Sequence, residues 1–357
     1  MHRKTHRYAA VCGLLLLPLL LQAFGTHWVR IADTCLLYVM LALGMNIVVG
    51  YAGLLDLGFV AFYAVGAYLF ALLTSSHLTD HFVWIAAVFP AGLHAPWWVT
   101  IPMAAGIAAI LGILLGAPTL RLRGDYLAIV TLGFGEIVRI LINNMGHPVN
   151  ITNGAKGLGP TDSISIFGLD LGKSLFIGSY EITSVALYYY LFLALVLATA
   201  TIGFRLHNSR IGRAWMAIRD DEVAAAAMGI NSRNLKLLAF ATGASFGGVA
   251  GALFGAFQVY ISPEAFSLQE SVMIVAMVVF GGIGHMRGVV LGAVVLTALP
   301  EMLRYVVNPL QSMTDGRIDA GTLRQLLIAL AMIITMLLRP HGLWPAPQFG
   351  KSLSTFK

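Results

Sequence analysis

The sequence predicts an all-α integral membrane protein of about ten transmembrane helices, organised as one domain over residues 1–357. Three observations carry that expectation. The first is composition: 58% of the residues are hydrophobic and 11% are charged, with a mean hydropathy of +0.83. An ordinary soluble domain carries about 25% charged residues, so this chain cannot cover a globular surface with them. The second is the recurrence of apolar stretches long enough to cross ~30 Å of hydrocarbon. The third is the uneven distribution of Lys and Arg between alternate loops.

The elements follow in order. Met1–Arg7 is basic and precedes an apolar run (YAAVCGLLLLPLLLQAFG) with the look of a signal peptide. No clear A-x-A cleavage pattern follows and many spans lie downstream, so it reads as an uncleaved first span. Further spans are expected near 33–49, 57–74, 98–117, 126–142, 183–204, 237–259, 271–283, 288–306 and 323–338. In 82–97, Pro90 and Pro96 interrupt a hydrophobic run that reads as re-entrant. Cys12 and Cys35 both lie in apolar runs and suit neither a disulfide framework nor a metal spacing.

The basic residues test this order. With the N-terminus inside, the cytoplasmic segments hold Arg3, Lys4, Arg7, Arg121, Arg123, Arg205, Arg210, Arg213, Arg219, Arg233, Lys236, Arg287, Arg339, Lys351 and Lys357. The outer segments hold Arg30, Lys156, Lys173 and Arg317, while Arg139, Arg304 and Arg324 fall in or near the membrane. That bias matches the positive-inside rule and places both termini in the cytoplasm. The net charge of +6 forms no single cationic face, so a nucleic-acid partner is not expected.

The longest polar interruption is 205–236, RLHNSRIGRAWMAIRDDEVAAAAMGINSRNLK. Asp220, Asp221 and Glu222 open a short helix, with Asp220 expected as its N-cap and Gly229 as its C-terminal stop. Between them VAAAAM is helix-forming and almost without bulk. A smooth helix of this kind beside a membrane span suits close approach by another protein. The competing reading is an amphipathic segment resting on lipid headgroups, for which Trp215 and Met216 are the available apolar anchors.

Two glycine-rich breaks, GYAGLLDLGF (50–59) and GGIGHMRG (281–288), separate closely spaced spans and contain Asp56 and His285. His285 reads as a solvated turn residue. The outer loop 143–181 is rich in Gly, Asn, Pro and Ser and is long enough to meet an external partner. Its Asn150-Ile-Thr152 sequon reads as chance. Within the membrane, Glu136 and Arg139 are three residues apart, on one helix face, where they can neutralise each other. Such a pair marks either a pathway or a structural lock.

Several chemistries are missing. There is no G-x-x-x-x-G-K-[ST], H-E-x-x-H, G-x-S-x-G or Cys/His cluster. The chain is therefore expected to be no enzyme, with no catalytic residue, metal or cofactor of its own. An ion-coupled secondary transporter would need a charged site, with Glu136 the main candidate and Asp56 and Asp125 nearer loops. A channel would need a lining ring or filter that the sequence does not supply.

Four separated segments, in order, carry a resemblance over almost the whole chain: 46–73 (NIVVGYAGLLDLGFVAFYAVGAYLFALL), 120–141 (LRLRGDYLAIVTLGFGEIVRIL), 212–231 (GRAWMAIRDDEVAAAAMGIN) and 265–293. With the terminal RPHGLWP (339–345), they resemble the membrane permeases of branched-chain amino-acid ABC importers, most closely the M-type member of the permease pair. Urea or short-amide permeases of the same family look similar. At His285 the sequence departs from the pattern, which usually has a small polar residue there. The resemblance implies a second homologous permease, two cytoplasmic ATPase subunits that bind the ATP, a periplasmic substrate-binding protein, and a place in the bacterial inner membrane. It also implies that the segment around 220–229 couples to the ATPases, with Arg213, Arg219, Asp220, Asp221, Glu222, Val223, Ala226, Ala227 and Gly229 as coupling residues. Transport would proceed by alternating access.

Overall fold

The computed structural model describes residues 2–90, 92–120, 122, 124–166, 168–177, 180–313, 320–339 and 342–344. Of the basic residues counted above, Arg121, Arg123, Arg317, Lys351 and Lys357 lie outside them, as do parts of the RPHGLWP segment.

Helices α1 (His2–Phe24) and α2 (Thr26–Met45) open the chain, and α2 continues into a wide π-helical turn over Asn46–Tyr51. α3 (Val60–Thr74) follows, then two short helices, α4 (His77–His81) and α5 (Val83–Val88). α6 (Trp97–Thr119) and α7 (Asp125–Asn144) lead into the 143–181 connection. That connection adds short strands to an otherwise mostly helical chain. It holds two antiparallel hairpins, β1 (Ser165–Ile166) with β2 (Leu169–Asp170) and β3 (Leu175–Ile177) with β4 (Tyr180–Ile182). Then come α8 (Ser184–His207), α9 (Arg210–Asp220), α10 (Glu222–Ala227) and α11 (Ser232–Gln258). α12 (Leu268–Gly281), α13 (Met286–Met313) and α14 (Ala320–Leu338) complete the described chain.

Each apolar stretch read from the sequence coincides with a helix. Among the described residues, five helical stretches are long and apolar enough to cross a membrane: Thr26–Tyr51, Trp97–Thr119, Ser184–His207, Ser232–Gln258 and Met286–Tyr305. Gly13–Phe24, Val60–Thr74, Leu268–Gly281 and Gln325–Leu338 are shorter apolar helices. α7 is long enough, but Asp125, Glu136 and Arg139 dilute its apolar character. Burial ranks the long helices: 67% of the most apolar window of Thr26–Tyr51 and 61% of that of Ser232–Gln258 are inside the chain, against 33% for Trp97–Thr119. So α2 and α11 form the centre, where Met40, Leu41, Met45, Phe59, Phe70 and Phe192 pack. Outward apolar side chains such as Ile110, Leu114, Ile129 and Leu197 lie on the remaining helices, as lipid contact allows.

Residues 52–59 form no helix, so α3 is shorter than the 57–74 span read from the sequence. This segment is irregular, with Ala52, Leu54, Asp56 and Gly58 buried, while Gly53 and Leu55 are exposed. It lies inside the bundle. The Leu57 amide donates to Thr131 Oγ1 of α7 at 3.0 Å, and Ser271 Oγ of α12 donates to the Leu57 carbonyl at 2.6 Å. Non-helical backbone at membrane depth persists only where protein or a water-filled cavity meets it.

Residues 82–97 are also not one continuous run. Val83, Trp84 and Val88 of α5 are exposed. The 143–181 connection is tied to the bundle: Leu158 and Ile261 exchange two backbone hydrogen bonds of 2.8 Å, and Thr161 Oγ1 donates to the Gly255 carbonyl at 3.0 Å. The Asn150 carboxamide oxygen accepts from the Asn153 amide at 2.8 Å, and Thr152 is buried, so the sequon residues serve the turn.

Candidate functional site

The polar 205–236 segment forms two short helices braced against the start of α11. Ser209 opens α9 by accepting from the Gly212 amide at 3.2 Å. α9 turns an apolar edge inward: Trp215 is fully buried, Ile218 is buried beside it, and Trp215 Nε1 donates to the Leu235 carbonyl at 2.7 Å. Trp215 is thus an internal anchor, which removes it from the lipid-resting alternative. Arg213 stays outside, and its guanidinium donates to the Asn208 carbonyl at 3.0 Å.

The cap of α10 is Asp221, not Asp220. The Asp221 carboxylate accepts from the Val223 and Ala224 amides at 2.8 and 3.0 Å. Asp220 instead completes α9 and stays exposed, 3.9 Å from Arg219 Nε. The reason is backbone geometry: Asp221 is the extended residue between the two helices (φ −155°, ψ 108°), the conformation that an N-cap requires. Gly229, at φ +84°, sits where α10 stops, in a conformation that a side chain would strain.

A pair unnoticed in the sequence locks α10 to α11. Lys236 Nζ donates to Glu222 Oε1 at 2.6 Å, and Lys236 is only 7% exposed. Ala225 is the one buried residue of the helix. Val223, Ala224, Ala226, Ala227 and Met228 all face outward, Val223 at 69% and Met228 at 84% exposure.

Arg219 ties this segment to both glycine-rich breaks. Its Nη1 donates to the Gly50 carbonyl at 2.5 Å, at the end of the π-helical turn. Its side chain lies across Gly53, and a Cβ at Gly284 would come 3.0 Å from its Nη1. The breaks also meet directly, since the Gly284 amide donates to Asn46 Oδ1 at 2.9 Å. No local spacing signals this junction, because Arg219 and Gly50 are 169 positions apart. His285 is not simply solvated: its Nδ1 lies 3.1 Å from the Trp344 carbonyl, with the two rings 6.1 Å apart. Asp56 is buried rather than at a loop surface, with Oδ1 accepting from the Gly58 amide at 2.9 Å.

Glu136 and Arg139 lie apart from this junction, paired on α7. Arg139 Nε donates to both Glu136 oxygens at 3.0 and 3.1 Å, and Nη2 bonds Oε1 as well. Their side chains are 36% and 32% exposed, and the bonds stay within one helix. Removing either partner strands a charge, so the single changes are expected to cost more than the double change. Glu136→Gln and Arg139→Gln should each lower folded yield or transport, with partial recovery in the double variant. Strictly additive losses would argue for two independent roles. Among the described residues, no group of three or more His, Cys, Asp or Glu is placed to hold a metal ion.

A family model described as branched-chain amino acid transport system / permease component matches residues 28–337. The chain belongs to this family. The match takes in both glycine-rich breaks, the Glu136–Arg139 pair and the whole α8–α11 connection of this permease. The permease is 39% identical over 329 residues to the high-affinity branched-chain amino acid transport system permease protein LivM of Escherichia coli (strain K12), which covers 89% of this chain and 70% of that protein. It is 26% identical over 244 residues to a probable LivM permease protein of Methanocaldococcus jannaschii, covering 67% of this chain and 66% of that protein. To the LivH permease protein of Salmonella typhimurium it is 25% identical over 264 residues, covering 72% of this chain and 79% of that protein. No solved structure matches the chain.

Proposed function

We propose that this permease is the M-type membrane subunit of an ATP-driven importer of branched-chain amino acids (leucine, isoleucine and valine) in the bacterial inner membrane. The observation that carries the reading is the graded similarity: 39% identity to a LivM protein against 25% to a LivH protein, within one family match over 28–337. A chain that resembles one member of a permease pair more than the other is suited to pair with that other. ATP binding then falls to two ATPase subunits, and solute delivery to a periplasmic binding protein. Uptake of labelled leucine by cells carrying the complete system tests this. It should survive collapse of the proton gradient, fail on ATP depletion, and disappear when this subunit is deleted. A proton-dependent, ATP-independent uptake would make the chain a secondary transporter instead.

In this reading there are ten spans, with both termini, the 205–236 segment and the 281–288 turn in the cytoplasm, and 143–181 in the periplasm. A membrane-impermeant thiol reagent applied from the periplasm should label Lys173→Cys and spare Asn208→Cys. The reverse pattern would overturn the orientation.

The outward face of α10 is the proposed ATPase seat. Small residues over a helix held by the Asp221 cap and the Glu222–Lys236 pair let a groove close on it without bulky obstruction. ATP-driven closure of the ATPases would move this helix, and Arg219 would carry the motion to Gly50 and Gly53. Ala226→Trp or Ala227→Trp would overpack the contact at a cost of about 1–3 kcal/mol. Each should leave membrane insertion intact while uptake falls and ATP hydrolysis loses its dependence on solute. Wild-type uptake in both variants would remove α10 from the interface.

A further inference from the structure

We propose that the cavity between α2, α3, α11 and α12 is a binding subsite for a free zwitterionic amino acid with a branched aliphatic side chain. This rests on the transport reading above and adds a place within this chain where the solute is held.

The cavity measures about 200 Å³ and lies at the end of α11 opposite α9 and α10. A cavity of about 150 Å³ already admits benzene, so this one has room for a single small amino acid. Leu37, Tyr63, Phe254 and Phe257 supply apolar walls. Against them stands one carboxylate. Glu270 Oε2 accepts from the Tyr38 hydroxyl at 2.5 Å, and Oε1 has no partner among the described residues. A carboxylate fixed by one oxygen and open at the other is an acceptor for an ammonium group.

The positive counterpart is held at the rim. Arg30 donates from Nη2 to Gln258 Oε1 at 2.9 Å, and its guanidinium carbon sits 5.2 Å from the centre of the Phe257 ring. Both Gln258 and Phe257 line the cavity. Among the described residues Arg30 and Glu270 form no ion pair with each other, so neither charge neutralises the other. A cation bound to two lining residues, a carboxylate on the wall and apolar walls complement a carboxylate, an ammonium and an aliphatic side chain.

The position also suits transport. Glu270 precedes Ser271, whose hydroxyl holds the Leu57 carbonyl of the non-helical 52–59 segment. The chain just before that segment is held at Gly50 by Arg219. The stretch from Gly50 to Leu57 therefore joins the cavity to the α9–α10 region.

The test measures binding of radiolabelled leucine to the assembled permease–ATPase complex in lipid nanodiscs, without binding protein, alongside uptake by the complete importer. Wild type should bind leucine saturably, with competition by isoleucine and valine and none by N-acetyl-leucine. Glu270→Gln should weaken binding tenfold or more, and Ala265→Trp, which fills the cavity, should abolish it, both in complexes that still assemble. Leu37→Ala should raise the phenylalanine-to-leucine binding ratio severalfold, a change that mere destabilisation does not produce. An importer that takes up leucine normally while its complex binds none, or binds it unchanged in Glu270→Gln and Ala265→Trp, overturns the subsite alone. An importer that takes up no branched-chain amino acid overturns the transport reading and the subsite with it.

Discussion

Gly251→Leu is expected to leave almost no folded permease. Gly251 lies where α11 crosses α3 so closely that a Cβ would fall on the Tyr63 carbonyl oxygen and within 2.8 Å of the Ala67 amide nitrogen. From the other side, a Cβ at Gly66 of α3 would fall on the Gly248 carbonyl. Helices in lipid gain little from hiding apolar surface from each other, so close backbone packing carries their association. Overpacking usually costs about 1–3 kcal/mol because side chains can shift. Here the obstruction is helix backbone, and α3 would have to move as a whole within the core. The loss should reach the exceptional class beyond about 4–5 kcal/mol. Recovery of monodisperse protein after membrane extraction is the measurement, with Gly106→Leu as the control, since a Cβ at Gly106 meets nothing within 4 Å. Equal recovery of the two variants would refute the close-crossing account.

Arg219→Ala should yield an assembled complex that has lost most of its transport. The guanidinium bonds the Gly50 carbonyl and packs on Gly53. It is the link from α9 to the end of the π-helical turn and to the break that follows. A hydrogen bond to a charged group contributes about 1.5–3 kcal/mol, and the 38% exposure of this side chain places the loss at the lower end. That is too little to unfold a bundle centred on α2 and α11, but about 1.5 kcal/mol is roughly a tenfold change in a conformational equilibrium. Uptake should fall about tenfold, with subunit assembly preserved. Arg219→Lys should recover only part of it, because an ammonium lacks the planar fork. Full uptake in Arg219→Ala would show that the coupling proposed for α10 does not run through Arg219.

Much of the fold was legible because its causes are local. Apolar length marks a helix wherever it occurs, and each stretch read from the sequence holds one. The stop at Gly229 was legible for the same reason, since a positive φ selects glycine. The cap was misplaced by one residue because Asp220, Asp221 and Glu222 are chemically near-equivalent there. Only the backbone, helical at Asp220 and extended at Asp221, distinguishes them. The break at 52–59 was visible in its glycines, but its burial inside the bundle was not.

The amino-acid order by itself determined the membrane class, the positions of the helices, the small smooth face of α10 and the Glu136–Arg139 pair. All of these rest on composition or on spacings of a few residues. The tertiary structure alone decided that Arg219 reaches Gly50, that Lys236 is buried against Glu222, and that Ser271 holds Leu57 across 214 positions. It also decided that Tyr38 and Glu270, 232 positions apart, share one cavity wall. The physical reason is that a hydrogen bond or a close crossing depends on where two distant segments are placed in space. That placement follows from how α2, α3, α11 and α12 pack together, and no spacing along the chain records it.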